Sequence, residues 1–342
     1  MSNEPSTTTS SIAGDATKAT TDDTIPEDTT DTKPSTSLDS SSSSKSQAAA
    51  IQSLSAILPS LSSSSTTRSL LHDPQTSSKI SSLLKQPDSG AGDNNLCRWL
   101  YDSFQSSDPD LQLLVLRFLP LVAGLYLSSV PLRIPLAGFE AVLLALYAHE
   151  TASRGGQSVT VNVPDLSHTS LYHHETKTAN AVKSNATGLN LAVISPSLEP
   201  HGTIRSTRRA RIIGVALELY YTKIYEMPVE SKIDFCEFCK VWAGGHISTE
   251  EEGMMRRVPL PCELMQPVLR ILGHCLLCPN QNKKLTEKAS EACTSLYARS
   301  MNDVNPKAFL AIGSLLRLSD STRKQDDLFD PTDLPKSRFI SL

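Results

Sequence analysis

Two long apolar segments, residues 110–127 and 136–150, form the strongest pattern along the chain, and a break containing two prolines separates them. In the first segment, apolar residues recur at helical spacing and also fill most positions between, which predicts a helix that is apolar on nearly every side. Asp108 and Pro109 give it a favourable start, because the carboxylate accepts hydrogen bonds from free backbone N–H groups and proline has no N–H to satisfy. Such a helix must be buried, either in protein or in lipid.

The first segment is long enough to raise the question of a membrane span, which needs about 20 apolar residues. Arg117 would then lie near the middle of the bilayer, where a charge is costly, and Pro120 would remove a hydrogen bond from the helix. Asp110 and Gln112 shorten the apolar run at its start. The sequence therefore predicts a helix in the core of a folded domain.

Further helices are predicted on both sides of this central pair. They cover residues 47–58, 80–84, 96–104, 208–225, 228–243, 264–277, 282–300 and 307–318. In the third of these, Leu96, Trp99, Leu100 and Phe104 share one face, which we expect to pack on the central pair.

Two segments have the pattern of strands. Residues 159–163 read Val-Thr-Val-Asn-Val, an alternation typical of a strand with one buried face. Residues 189–194 are the second candidate, and we expect the two to pair as a ribbon on the helical body. The predicted fold is therefore mainly α: an irregular multi-helix domain with a small β ribbon and a disordered N-terminal segment.

Composition divides the 342 residues into three parts. Half of residues 1–46 are Ser or Thr, and this segment carries eight acidic and three basic side chains. With so little apolar surface to bury, it is predicted to be disordered. A helical domain is expected over residues 47–318, with its core from about residue 96, followed by a tail at 319–342.

The remaining residues carry a net charge of about +1, because the whole chain has −4 and the first 46 residues have −5. A nearly neutral body with 5% aromatic residues does not suggest a nucleic-acid binder, which usually has a basic stripe and stacking aromatics. The first residues lack the basic and apolar regions of a secretory signal, so the expectation is a cytosolic protein with reduced cysteines.

The sequence offers little sign of catalysis. It lacks the GxSxG, GxxxxGK[ST] and GxGxxG patterns of nucleophile elbows and phosphate-binding loops. We therefore expect a non-enzymatic protein without a cofactor.

Two CxxC pairs, Cys236/Cys239 and Cys275/Cys278, leave an alternative open. Four thiolates at this spacing are able to hold zinc, which would make the chain a zinc-binding or enzymatic helical domain. However, both pairs lie in apolar helical patterns, where positions i and i+3 share a buried face. This context favours structural cysteines.

A basic run at the start of a predicted helix is the candidate binding feature. It contains Arg205, Arg208, Arg209 and Arg211. Cations at a helix start oppose the helix dipole, so an acidic partner surface or anionic lipid would offset the cost. The alternative is that these arginines extend into water and pair with nearby acids.

Four segments, in consistent order, resemble the hyccin family. Residues 161–173 resemble its strand followed by a "PSLSxPSxYHE" signature, and residues 141–150 its helix ending in Tyr and Glu. Residues 220–228 are similar to its "YMP" helix end, and residues 257–260 to its "RIP" turn. The similarity covers roughly residues 96–318 and is nearest to plant members, although animal members carry their low-complexity region after the domain.

The resemblance implies a mainly helical, non-catalytic subunit of the plasma-membrane phosphatidylinositol 4-kinase complex. In that complex the family stabilises a tetratricopeptide-repeat scaffold, which joins phosphatidylinositol 4-kinase type III alpha to a membrane-anchoring protein. The chain is then expected in the cytosol and at the cytoplasmic face of the plasma membrane, where it supports phosphatidylinositol 4-phosphate synthesis and contacts the membrane only through partners. Arg208, Arg209 and Arg211 are the candidate partner-binding residues.

Overall fold

The computed structural model describes residues 39–59, 66–132, 134–164, 189–200, 204, 208–244, 261–278 and 282–326. The helices of its first half are α1 (Asp39–Ile57), α2 (Thr67–His72), α3 (Pro74–Leu84), α4 (Asn95–Gln105), α5 (Pro109–Ser129) and α6 (Ala137–Arg154). A ribbon of β1 (Val159–Pro164) and β2 (Leu189–Ser195) follows. The second half contains α7 (Arg209–Thr222), α8 (Val229–Ala243), α9 (Cys262–Leu277), α10 (Lys283–Asn302) and α11 (Pro306–Asp326). The mainly helical fold with a small ribbon is confirmed.

Helix α5 lies at the centre of the first half, as its pattern predicts. It packs against α2, α3, α4, α6, α7 and α8. Its start is the predicted one: the Asp108 carboxylate accepts hydrogen bonds from the backbone N–H groups of Asp110 and Leu111 at 3.0 and 3.1 Å. A 3-10 turn at Val130–Leu132 ends it before α6 begins.

In the part of the chain that the structure describes, one segment, Pro109–Leu132, is long and apolar enough to cross a membrane by length and composition. Two thirds of its most apolar stretch is buried against other helices. The prediction of a buried core helix is therefore confirmed for α5.

Arg117 is buried within this core, with 3% of its surface exposed. Burial lowers the pKa of its guanidinium, although Glu230 and Asp234 on α8 favour the charged form. Its backbone carbonyl accepts a hydrogen bond of 2.6 Å from the Ser231 hydroxyl, which also lies 3.0 Å from the hydroxyl of the fully buried Tyr220. This chain of polar contacts joins α5, α7 and α8.

The second half packs around α8 and α9. Helix α8 lies between α5 and α10, and α9 packs on α7 and α11. At the crossing of α7 and α9, a side chain on Gly214 would collide with the backbone carbonyl of Glu263, so the close approach requires glycine. The predicted face of α4 is also confirmed: Leu96, Trp99, Leu100 and Phe104 are buried, and α4 packs on α5 and α6.

Several predicted boundaries were wrong. Helix α1 begins at Asp39, not near Gln47, because Ser43 and Gln47 both donate hydrogen bonds to the Asp108 carboxylate and so give the serine-rich start a tertiary contact. Helix α11 continues to Asp326, beyond the tail boundary at residue 319, and Ser319 is buried. The predicted disorder of the remaining N-terminal residues, 1–38, lies outside the described residues.

Candidate partner-binding surface

The ribbon exposes several apolar side chains. β1 and β2 pair antiparallel, with Val161 opposite Ala192 and Asn162 opposite Leu191. Directly opposite residues share a face, so Val161 lies on one side, while Leu191 and Val193 lie on the other. Leu191 and Val193 expose 67% and 58% of their surface.

Exposure on both faces departs from the strand pattern. The alternation in β1 is typical of a strand with one buried face, yet Val159 and Val161 are also exposed. Among the described residues neither face of the ribbon is fully covered, and a two-stranded ribbon is at best marginally stable by itself. Exposed apolar surface of this kind is characteristic of protein interaction sites.

A polar cluster fixes the base of the ribbon to the helical body. Arg154, at the end of α6, donates hydrogen bonds to the Ser195 hydroxyl at 3.0 Å and to the backbone carbonyls of Gln157 and Pro196 at 2.7 Å. Ser195 in turn donates to the Glu218 carboxylate on α7 at 2.5 Å. Sequence reasoning missed this cluster, because its members are more than 20 residues apart and match no motif.

The cluster is only partly solvated. Burial raises the pKa of Glu218, while the hydrogen bond from Ser195 and the charges of Arg154 and Arg270 act in the opposite direction. The carboxyl group therefore depends on its polar partners to remain ionised. The hydrogen bonds of Arg154 and Ser195 thereby connect α6, the end of β2 and α7.

The three candidate arginines are not equivalent. Arg208 forms an ion pair of 2.6 Å with Glu199, and both side chains are about half exposed. Arg209 points inward, donating to the Tyr126 hydroxyl at 3.0 Å, and Arg211 donates to the backbone carbonyl of Ser197. Arg205 lies outside the described residues. Whether this group binds a partner stays a prediction; of the three, Arg208 is the most exposed.

The CxxC cysteines lie where their helical context indicates. Cys236 and Cys239 on α8 and Cys275 on α9 are fully buried, whereas Cys278 is partly exposed. A hydrogen bond to Cys275, together with burial, raises the pKa of the Cys236 thiol, and burial raises that of Cys239. These groups are therefore neutral thiols at physiological pH. In the described ranges, no three His, Cys, Asp or Glu side chains are arranged to hold a metal ion.

The order of these elements can be compared with known families. A model of the Hyccin family matches residues 61–334. The chain belongs to the hyccin family. The match includes the ribbon, its anchoring cluster and all of α2 to α11, and it extends beyond the resemblance seen at residues 96–318.

The hyccin-like motif at residues 141–150 lies within α6, which continues to Arg154 and does not end at Glu150. The Glu150 carboxylate lies 3.9 Å from the guanidinium of Arg154 in the anchoring cluster. At the turn from α7 to α8, Met227 is buried, whereas Tyr225 exposes 81% of its surface. Residues 165–173 of the strand motif and the turn at 257–260 lie outside the described residues.

Proposed function

We propose that this hyccin-family chain is a non-catalytic regulatory subunit that stabilises a phosphatidylinositol 4-kinase type III alpha complex at the plasma membrane. Its contribution is a binding free energy. By occupying a tetratricopeptide-repeat scaffold it favours the scaffold's folded, assembly-competent state, and linkage makes this stabilisation mutual. The family match over residues 61–334 is the observation that carries the proposal.

The exposed ribbon supports a role in binding. Leu191 and Val193 present adjacent apolar side chains on one face, and the cluster of Arg154, Ser195 and Glu218 fixes the base of the ribbon. A surface that is already ordered loses less conformational entropy when it binds. We therefore assign the ribbon to the scaffold contact, with Arg208 as a nearby charge able to guide association.

The zinc-binding or enzymatic alternative receives no comparable support. Cys236, Cys239 and Cys275 are fully buried, and in the described ranges no three His, Cys, Asp or Glu side chains are arranged to hold a metal ion. We propose that these cysteines fill the interface of α8 with α9 and α10.

Affinity purification from cells of the native organism tests both parts of the proposal. Wild type should recover the kinase and the scaffold, as identified by mass spectrometry. A Leu191→Glu/Val193→Glu double variant should lose both, because two charges on the apolar face oppose docking. Leu310→Glu is the matched control: Leu310 is similarly exposed at 65% but lies on α11.

The outcomes distinguish a failure of the proposed function from a failure of the ribbon assignment. If wild type recovers neither kinase nor scaffold, the proposed function fails. If the ribbon variant recovers both as well as wild type does, the function stands and the assignment of the ribbon fails.

A further inference from the structure

A second surface combines basic and aromatic side chains where α7, α8 and α9 meet. We define the basic–aromatic patch as Tyr221, Tyr225, Lys232, Arg270 and His274. The Arg270 guanidinium lies over the Tyr221 ring at 4.2 Å, and the Tyr225 and His274 rings meet edge to face with centroids 4.9 Å apart. Tyr225 itself is largely exposed.

Lys232 is the unusual member of the patch. Among the described residues its ammonium has no carboxylate partner, and it is about half buried. Burial lowers its pKa, and the pKa of His274 is lowered by burial and by the charge of Lys232. A partly desolvated cation without a counter-charge costs free energy, which an anion bound beside it would recover.

Nearby acidic groups offset the positive charge of the patch only in part. Glu226 pairs with Lys223 at 3.5 Å, and Glu218 accepts the hydrogen bond from Ser195 while it interacts with Arg154 as well as with Arg270. The described residues therefore leave the patch with excess positive charge. Its chemistry suits a carboxylate-rich peptide, whose apolar parts are able to contact the face of Tyr225.

The chain itself contains such a peptide. Residues 1–38 carry seven acidic and two basic side chains, a net charge of −5. They join the folded body at Asp39, the first residue of α1, and Ser43 one turn later donates a hydrogen bond to the Asp108 carboxylate. The acidic segment therefore leaves the body beside the first turn of α5.

A cavity of about 300 Å³ lies beside this exit point. Its lining includes Pro109 and Asp110 of α5 and also Lys223 and Glu226, in the turn after α7 that carries Tyr225. Since an extended chain spans about 3.3 Å per residue, 38 residues reach on the order of 100 Å, far more than the path from the exit point to Tyr225 requires.

We infer that the acidic segment 1–38 docks on the basic–aromatic patch of its own chain. Tethering gives the segment an effective concentration of about millimolar at the patch, so individually weak ion pairs suffice. Docking covers Lys232 and Tyr225, and a competing acidic partner must displace the segment. Phosphorylation of its many Ser and Thr residues would add negative charge and strengthen the contact.

The acidic segment also argues against the membrane as the occupant. It carries −5 and is tethered to the same chain, so an anionic bilayer would have to displace it from the patch. The segment is also present at one copy for every patch.

Carbodiimide cross-linking of the purified full-length chain tests the inference, because this reagent joins a carboxylate to a nearby amine. Cross-links from the acids of residues 1–38 to Lys232 should exceed those to Lys283 and Lys307, two exposed lysines on α10 and α11. Each yield is normalised to the acetylation rate of the same amine, which removes differences in intrinsic reactivity. The excess should fall several-fold at about 0.5 M salt, since ion pairs with exposed members are screened.

Variants supply the matched comparison. Arg270→Gln should reduce the Lys232 cross-links, Lys307→Gln should leave them unchanged, and circular dichroism checks that both variants are folded. A third variant should abolish the excess; it replaces Asp22, Asp23, Glu27, Asp28 and Asp31 by the corresponding amides.

Two results would overturn the inference. One is a normalised Lys232 yield no higher than that of Lys283 and Lys307. The other comes from mixing ¹⁵N-labelled and unlabelled protein: if the Lys232 cross-links join differently labelled chains, the occupant is the segment of a second copy.

Discussion

The guanidinium of Arg209 donates a hydrogen bond to the hydroxyl of Tyr126 at 3.0 Å, and this contact joins the first turn of α7 to α5. The same hydroxyl donates to the Glu140 carboxylate on α6 at 3.1 Å. Burial raises the pKa of Tyr126 to about 12, against the opposing effect of Arg209. A residue that the sequence suggested for partner binding is thus part of the polar contacts between three helices.

This relationship predicts different effects for the two neighbouring arginines. Arg209→Glu should lower the free energy of unfolding by about 1–3 kcal/mol, because it leaves Tyr126 without its donor and places a second carboxylate near Glu140. Arg208→Glu should change it by less than about 0.5 kcal/mol, since it removes one half-exposed ion pair. Urea unfolding of both variants makes the comparison, and equal midpoints would contradict it.

A consequence follows for binding experiments with a triple Arg208, Arg209 and Arg211 variant. Loss of binding in that variant would combine a surface effect with destabilisation of the fold. The single Arg208→Glu variant isolates the charge at the surface.

Truncation should distinguish residues 1–38 from helix α1. Deleting residues 1–38 should change the melting temperature little, because it removes only weak, salt-screened ion pairs with the patch and leaves the described part of α1 in place. Deleting residues 1–58 should lower it by several degrees, since it removes the fully buried Leu54 and the carbonyl of Ala50, which accepts a hydrogen bond of 2.9 Å from the Trp99 indole N–H. Calorimetry of the two truncated chains is the measurement.

An intermediate truncation tests the corrected start of α1. Removing residues 1–46, which the sequence marked as dispensable, also removes the Ser43 contact with Asp108. We expect this truncation to lower the free energy of unfolding by about 1 kcal/mol, the typical contribution of a partly buried hydrogen bond. A melting temperature equal to that of the chain lacking residues 1–38 would show that the Ser43 contact contributes nothing.

The contrast between α1 and the central helices shows what sequence patterns predict well. Helices α5 and α6 were placed almost correctly, because strong apolar patterns and a proline-containing break leave few alternatives. The first turns of α1 are stabilised by long-range contacts with Asp108, which no local pattern contains. The missed start of α3 did have a signal: Asp73-Pro74 repeats the arrangement of Asp108-Pro109, and the Asp73 carboxylate accepts from Gln75 and Thr76.

Ser231 should be a sensitive core position. Ser231→Ala removes a hydrogen bond to the carbonyl of Arg117 and leaves the buried Tyr220 hydroxyl without a partner. We therefore expect the free energy of unfolding to fall by about 2–3 kcal/mol. Tyr220→Phe is the control. Ser231→Ala should lower the free energy of unfolding less in the Tyr220→Phe background than in wild type, because the Tyr220 hydroxyl is already absent there. Fully additive losses would contradict the shared contact.

The buried cysteines should resist alkylation in the native state. Burial raises the pKa of Cys97 and Cys293 to about 12, so almost no thiolate is present at pH 8. Mass spectrometry after brief iodoacetamide treatment should show modification of the partly exposed Cys278 well before Cys236 or Cys239. Rapid modification of these two, or bound zinc whose removal unfolds the chain, would overturn their structural role.

The candidate surfaces were harder to predict than the helices. The sequence correctly indicated that residues 159–163 and 189–194 pair, but alternation implies a buried face that the described residues do not provide. The role of Arg209 was equally hidden in the sequence, because spacing alone does not reveal that it donates a hydrogen bond to Tyr126, 83 residues away. Exposure and long-range polar contacts depend on the assembled body, so only the structure shows that the ribbon is exposed and where the basic–aromatic patch lies.

The most direct test of the central claim is to remove the protein from its native cells and measure scaffold abundance and plasma-membrane phosphatidylinositol 4-phosphate together. The proposed role predicts that both fall, that wild type restores both, and that the isolated kinase domain retains its activity throughout. Unchanged scaffold abundance with unchanged phosphatidylinositol 4-phosphate would contradict it.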